Sequence, residues 1–205
     1  MPGKNLARQF AAESYYHVYN RGVNKRKIFV DIEDYKFFSA LFGRHLGPKP
    51  TQDAKGREYL WMRKDIEVLA YCWMPNHFHL LVYQQEERDL LRLMMSVCTA
   101  YTMYFNKKYK RRGPLFENNY RASLISEDIY LQHISRYIHL NPKSYKSWSY
   151  SSYKDYVGQP QKEWLNPARI LELFGSKKQY ARFVAEYQET HDELDIIKHE
   201  LADNI

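Results

Sequence analysis

Apolar positions along this chain switch between two periods, and the switches outline its elements. Ser14 to Asn20 alternates weakly and predicts a first strand that ends at Arg21-Gly22. Asp31 to Leu46 has helical spacing, with Asp31 as N-cap and Tyr35, Phe38, Leu41 and Phe42 as the apolar face. Residues 47–56 carry two prolines, two glycines and several polar residues, which predicts a loop. Tyr59–Met62 and Ile66–Trp73 read as strands. His77–Tyr83 reads as the next, joined to the last by a tight Met74-Pro75-Asn76 connection. Asp89–Tyr109 is a long helix with Leu90, Leu93, Met94, Val97, Tyr101 and Tyr104 inward; this methionine and aromatic stripe is core. Arg121–Ile125 predicts a short strand and Glu127–Leu140 a helix. Further helices are expected at Pro167–Phe174, after an Asn166 cap, and from Lys177 to about Leu201. No repeat or low-complexity segment interrupts this order.

The β-α-β-β-α order predicts an α+β fold: one antiparallel sheet with helices on one face, plus a C-terminal helical extension. The expected division is 1–157 for the main domain and 158–205 for the extension. With 205 residues, 44% hydrophobic and 27% charged, the chain is globular in composition. No apolar run approaches the length of about 20 residues that spans a bilayer, so no membrane partner is expected. Met1 to Arg8 lacks the apolar centre of a secretory signal. Cys72 and Cys98 sit in apolar sequence without metal-type spacing and read as buried free thiols. These features together predict a cytoplasmic location.

Within the His77–Tyr83 strand, His77 and His79 flank Phe78. Alternation puts the two imidazoles on one face and Phe78, Leu80 and Val82 on the other. Two imidazoles side by side on a strand make half of a metal site, although an isolated His-x-His occurs often by chance. A second constellation lies downstream. On the Glu127–Leu140 helix, His133, Tyr137 and Asn141 fall at i, i+4 and i+8 on one face, beside an apolar stripe of Ile134 and Ile138. Pro142 disfavours helical geometry at Asn141, so the helix is expected to end there. His139 falls off that face. The competing tyrosines are Tyr101 and Tyr104, spaced for core packing, and Tyr16 and Tyr19 on the first strand. The chain holds 19 tyrosines, so position and not residue type singles out Tyr137.

Charge adds a partner class. The net charge is +7. Lys107, Lys108, Lys110, Arg111 and Arg112 crowd one stretch with Tyr104, Phe105 and Tyr109 interleaved, and Arg21, Lys25, Arg26 and Lys27 form a second cluster. Basic patches with aromatics suit a nucleic-acid backbone and unstacked bases. From Glu186 onward the balance reverses: Glu186, Glu189, Asp192, Glu193, Asp195, Glu200 and Asp203 stand against Lys198 alone, so the tail is not expected on phosphate.

These residues support a family resemblance. His-hydrophobic-His followed by a helical tyrosine resembles the HUH single-tyrosine transposases. Four ordered blocks resemble their REP-associated branch, part of the IS200-like superfamily: Tyr16 to Asn24, Trp73 to Val82, Gly113-Pro114-Leu115-Phe116, and Arg136 to Pro142; Trp148 to Tyr153 is also similar. The likeness covers roughly residues 14 to 157. It implies a ferredoxin-like, RNA-recognition-like fold whose central strands lie on an open face. The histidines would then point either to that open face or toward the tyrosine helix.

The resemblance also implies an activity: metal-dependent cleavage and rejoining of single-stranded DNA near hairpins through a 5′-phosphotyrosine intermediate. A phenol, with a pKa near 10, needs activation to attack at neutral pH. A divalent ion polarises the phosphate, and mixed nitrogen and oxygen ligands suit Mg²⁺ or Mn²⁺. By resemblance, Tyr137 is the nucleophile and His77, His79 and Asn141 are the metal ligands. His133 is a candidate neighbour of the site. The clusters from Arg21 to Lys27 and from Lys107 to Arg112, with Arg121 and Arg136, would hold the hairpin. The resemblance leaves monomer and homodimer open. Alternative readings are a non-catalytic hairpin-binding protein on the same fold and a rolling-circle replication initiator or relaxase.

Overall fold

The computed structural model describes residues 10–159 and 162–187. The chain runs β1 (Ser14–Arg21), α1 (Ile32–Leu46), β2 (Ile66–Met74), β3 (His77–Gln84), α2 (Asp89–Lys108), β4 (Arg121–Ile125) and α3 (Asp128–Leu140). The short α4 (Tyr153–Tyr156), α5 (Ala168–Glu172) and α6 (Lys177–Glu186) follow. The strands form one antiparallel sheet in the order β2-β3-β1-β4. This is the expected α+β, ferredoxin-like arrangement.

Alternation along the strands sorts side chains into two layers. Tyr16 and Val18 of β1, Phe78, Leu80 and Val82 of β3, and Val68, Tyr71 and Trp73 of β2 face α1 and α2. There they meet Phe38, Leu41 and Phe42 of α1 and Leu93, Val97, Tyr101 and Phe105 of α2. Phe38 packs edge-on against Trp73, with centroids 4.9 Å apart. Phe105 takes the buried position expected for Tyr104, which instead stacks on Phe37 at 3.9 Å. The other sheet face is not open. Leu69, Ala70, Cys72, Leu81 and Ile125 pack against Leu131, Ile134 and Ile138 of α3 and against Ile170, Tyr180 and Val184. Helices therefore cover both faces: α1 and α2 fill one, and α3 with the helices after it lies across the other. The described part of the extension, residues 158–159 and 162–187, contributes Leu165, Ile170, Tyr180 and Val184 to these buried clusters.

Local chemistry explains the element ends. Asp31 accepts from the Asp34 amide at 3.1 Å while Asp34 accepts from the Asp31 amide at 3.2 Å, a reciprocal cap that starts α1. Lys108, at the end of α2, donates to Asp31 at 2.7 Å and to buried Asp34 at 2.8 Å, and Tyr109 donates to Asp34 at 2.7 Å. The start of α1 is thereby fastened to the end of α2. Strand β2 contains a bulge between Val68 and Ala70.

The expected strand at Tyr59–Met62 does not form. The Met62 amide donates to the His45 carbonyl at 2.8 Å, the Trp61 indole donates to the Gly47 carbonyl at 2.8 Å, and the Tyr59 ring lies 4.1 Å from the Arg44 guanidinium carbon. These contacts anchor the segment to the end of α1, and beside it only an isolated bridge forms, Gln52 with Glu58. The outer edge of β2 is covered differently. Trp73 donates to the Tyr150 carbonyl and Ser152 to the Tyr71 carbonyl, and Asn166 donates to the Val68 carbonyl. The Trp148 to Tyr153 block thus shields a sheet edge that would otherwise expose unpaired backbone. Helix α5 is shorter than expected; Asn166 Oδ1 accepts from the Ala168 amide at 3.2 Å. Helix α6 is described to Glu186, and the rest of the helix expected to Leu201 lies outside the described residues from 188 onward.

Candidate active site

Strand β3 begins at His77 after a two-residue turn, and β1 lies antiparallel beside it with Arg21 opposite His77 and Tyr19 opposite His79. The parity that buries Phe78 under α1 and α2 turns both histidines to the α3 side. Of the two directions open to them, they take the one toward the tyrosine helix. Asn141 follows the last residue of α3 and keeps right-handed helical geometry (φ −55°, ψ −45°) despite Pro142. Its side chain therefore extends the Tyr137 face by one more turn.

Three side chains converge there. His77 Nε2 lies 3.0 Å from Asn141 Oδ1, and His79 Nε2 lies 3.4 Å from the Asn141 amide nitrogen. The Tyr137 ring stands edge-on to His79 at 5.4 Å. His79 is fully buried; burial, then the neighbouring His17 and His77, holds its pKa well below the ordinary histidine value. Burial also lowers His77, with Arg21 adding to the shift and the Asn141 contact opposing it. Both imidazoles are thus neutral near pH 7, the form that carries a lone pair for a metal.

His77 also meets Asn76 Oδ1 at 2.7 Å through Nδ1. Its two ring nitrogens therefore both face side-chain oxygens. A neutral imidazole has one N–H, so only one of these approaches is a hydrogen bond. A cation held by Nε2 and Asn141 Oδ1 would resolve the conflict and leave Nδ1–H to donate to Asn76. The donor set fits a hard divalent ion. Among the described residues no three of His, Cys, Asp and Glu are placed to hold a metal; the side-chain oxygen beside His77 Nε2 is that of the Asn141 amide.

Beside the histidines is a pocket lined by Tyr19, Asn20, Arg21, Glu117, Asn118 and Arg121. Arg21 Nε is buried without a hydrogen-bond partner. Arg121 lies over the Tyr19 ring at 6.0 Å. Both arginines line the same pocket as His77 and His79. Arg26 lies close enough to Arg111 to depress its pKa after burial, so the two basic clusters adjoin in space. Lys25, Arg26, Lys27, Lys107, Lys110 and Arg112 are exposed, and Arg111 is part-buried.

Two expected DNA-side residues, Lys108 and Arg136, and the expected site neighbour His133 are engaged elsewhere. Lys108 is committed to Asp31 and Asp34. Arg136 is buried between α3 and α6, with its guanidinium carbon 4.1 Å from the Phe183 ring and 4.4 Å from the Tyr187 ring. His133 accepts from Arg136 at 2.8 Å and packs on Phe183, so it belongs to that helix contact and not to the pocket. The cause in each case is a partner far away in sequence. His139 is off the tyrosine face as expected, buried between Tyr180 OH at 2.6 Å and Ser152 Oγ at 2.7 Å. Sequence reasoning did not single out His17, Asn76, Glu117 or Asn118. Asn76 adjoins the His-x-His, and His17 shares its strand face with Tyr19; these were the available signals.

Residues 57–141 match the family described as transposase IS200 like. Across these residues the chain is similar to that family. The matched span runs to Asn141 and contains His77, His79 and Tyr137; β1 lies outside it. No curated protein matches. A solved structure of a REP-associated tyrosine transposase bound to a REP hairpin is similar with a TM-score of 0.56. The identity is 13%, and the match covers 80% of this chain and 90% of that one. At that identity the likeness shows a shared fold. No helix among the described residues is long and apolar enough to cross a membrane.

Proposed function

We propose that this IS200-like protein cleaves and rejoins single-stranded DNA beside a hairpin, with Tyr137 as nucleophile and with His77, His79 and Asn141 holding Mg²⁺ or Mn²⁺. The observation that carries the reading is the meeting of His77 Nε2, His79 Nε2 and the Asn141 amide under the Tyr137 ring. The hairpin preference draws on the REP hairpin held by the structural relative. Residues 1–157 would carry this chemistry, with 158–205 as a helical addition.

When bound, the ion withdraws charge from the scissile phosphate and stabilises the charge that builds in the transition state. The protein supplies the rest. The Tyr137 oxygen attacks phosphorus in line with the leaving 3′ oxygen. The new O–P bond forms as the P–O3′ bond breaks, the phenol proton passes to solvent, and the released 3′ oxygen ends as a hydroxyl. The 5′ phosphate stays on Tyr137, so the bond energy is retained and a later 3′ hydroxyl reseals the strand by the reverse attack. Arg21 and Arg121 neutralise flanking phosphates. The adjoining clusters at 25–27 and 107–112, without Lys108, track the backbone.

A covalent-trapping assay tests this. Labelled hairpin DNA with a single-stranded flank, incubated with the protein and Mn²⁺, should yield an adduct that survives denaturation. The adduct should vanish with chelator and in Tyr137→Phe. Tight hairpin binding by the unmodified protein, with no adduct under any metal, would favour a non-catalytic hairpin-binding protein.

A further inference from the structure

We infer that His17, on β1 and outside the matched span, is a positioning residue for His79. It accepts a hydrogen bond from His79 Nδ1–H and so fixes the tautomer that leaves His79 Nε2 free for the metal. This rests on the metal-site reading above.

The geometry is that of an in-plane ring-to-ring hydrogen bond. His17 Nε2 lies 2.9 Å from His79 Nδ1, and the two rings are 12° from coplanar with centroids 5.1 Å apart. Both residues are fully buried, so water does not compete for this contact. His17 also stands edge-on to the Tyr137 ring at 5.9 Å and stacks on Tyr19 at 5.1 Å. One side chain therefore touches both a ligand and the nucleophile.

Proton counting gives two arrangements. In the first, His79 carries its proton on Nδ1, donates it to His17 Nε2, and presents a bare Nε2 toward Asn141. His17 then carries its own proton on Nδ1. In the second, His17 donates from Nε2 to His79 Nδ1, and the His79 proton moves to Nε2. There it faces the Asn141 amide nitrogen 3.4 Å away and cannot ligate. His17 Nδ1 is buried with no hydrogen-bond partner, so the surroundings of His17 do not by themselves choose its tautomer. At the other end of the pair the Asn141 amide nitrogen, 3.4 Å from His79 Nε2, disfavours a proton there, and His17 Nε2 is the acceptor that then holds the His79 proton on Nδ1. A ligand histidine whose second nitrogen is held by an acceptor is the common outer-shell arrangement in metal sites, and loss of the acceptor weakens the metal.

Three measurements on the full chain test this. In ¹⁵N-labelled, Mg²⁺-loaded protein, a nitrogen–nitrogen coupling across the hydrogen bond should link His79 Nδ1 with His17 Nε2, and its absence overturns the inference without any variant. His17→Phe keeps a ring against Tyr19 and Tyr137 but offers no acceptor; Mn²⁺ binding, followed by electron paramagnetic resonance, should weaken about 10- to 100-fold. His17→Gln, which restores an acceptor oxygen, should recover most of that loss. If His17→Phe binds Mn²⁺ like the unmodified protein while His77→Ala does not, the His17 role is overturned and the metal site stands. If the unmodified protein binds no Mn²⁺, both fall together.

Discussion

The two faces of β3 carry opposite kinds of chemistry one residue apart. Phe78 points into a layer of phenylalanine, tryptophan, tyrosine and leucine under α1 and α2, where shape and apolar area dominate. His77 and His79 point into a layer of imidazole, phenol and amide under α3. The first face holds the strand in place; the second uses that fixed place. A rigid apolar side is what lets two imidazoles of β3 and a tyrosine of α3 be held in one arrangement.

The contrast is most sharply broken at Tyr137. Tyr137→Phe removes one oxygen from the α3 side and should lower strand cleavage by on the order of 10⁴-fold or more. Hairpin affinity, read by gel shift, and the melting temperature should hardly move. Phe78→Ala, on the opposite side, should cost about 3–5 kcal/mol in a urea titration, because a fully buried ring leaves a cavity. If Phe78→Ala leaves stability intact, or if Tyr137→Phe unfolds the protein, the division of labour between the faces is wrong.

Two neighbouring lysines sharpen it further. Lys108→Ala leaves the buried Asp34 carboxylate without its cation, although Val30, Asp31 and Tyr109 still donate to it. The expected loss is about 1–3 kcal/mol of stability. Lys107 is exposed, so Lys107→Ala should change stability by no more than about 0.5 kcal/mol. Its effect should appear in DNA binding, as a salt dependence shallower by about one in the log–log slope.

Acid offers a gentler probe of the α3 side. Burial lowers His139 from 6.5 to about 3, so the folded state binds fewer protons than the unfolded chain between those values. The stability tied to neutral His139 is whole above pH 6.5 and is lost as pH falls from 6.5 toward 3. His139→Gln, which keeps a donor and an acceptor for Tyr180 and Ser152, should flatten that part of the stability curve. An unchanged slope would show that His139 is not buried neutral.

Much of this was legible in the sequence where period alone decides. Alternation placed His77 and His79 on one side of Phe78, and helical spacing placed Tyr137 one turn before Asn141. Residues whose fate depends on distant partners were not legible. Lys108 reads as one more charge in a basic run until Asp34 is seen 2.8 Å away. Arg136 precedes the candidate nucleophile yet spends its charge on aromatic rings of α6. His17 lay inside a quoted motif, but its relation to His79 exists only once β1 and β3 pair. Tyr59–Met62 has the composition of a strand and lacked only a neighbour.

The bulge in β2 sets a limit on insertions and deletions. Ile66 and Val68 before it, and Tyr71 and Trp73 after it, all face the same apolar layer, which regular alternation forbids. The extra residue at Leu69 restores the phase, and the Tyr156 hydroxyl donates to its carbonyl at 2.8 Å. A one-residue change of length elsewhere in β2, with no bulge to take it up, would turn half of the strand's aromatic side chains the wrong way or shift the pairing that leads into His77. Away from its bulge this strand tolerates a change of side chain far better than a change of length.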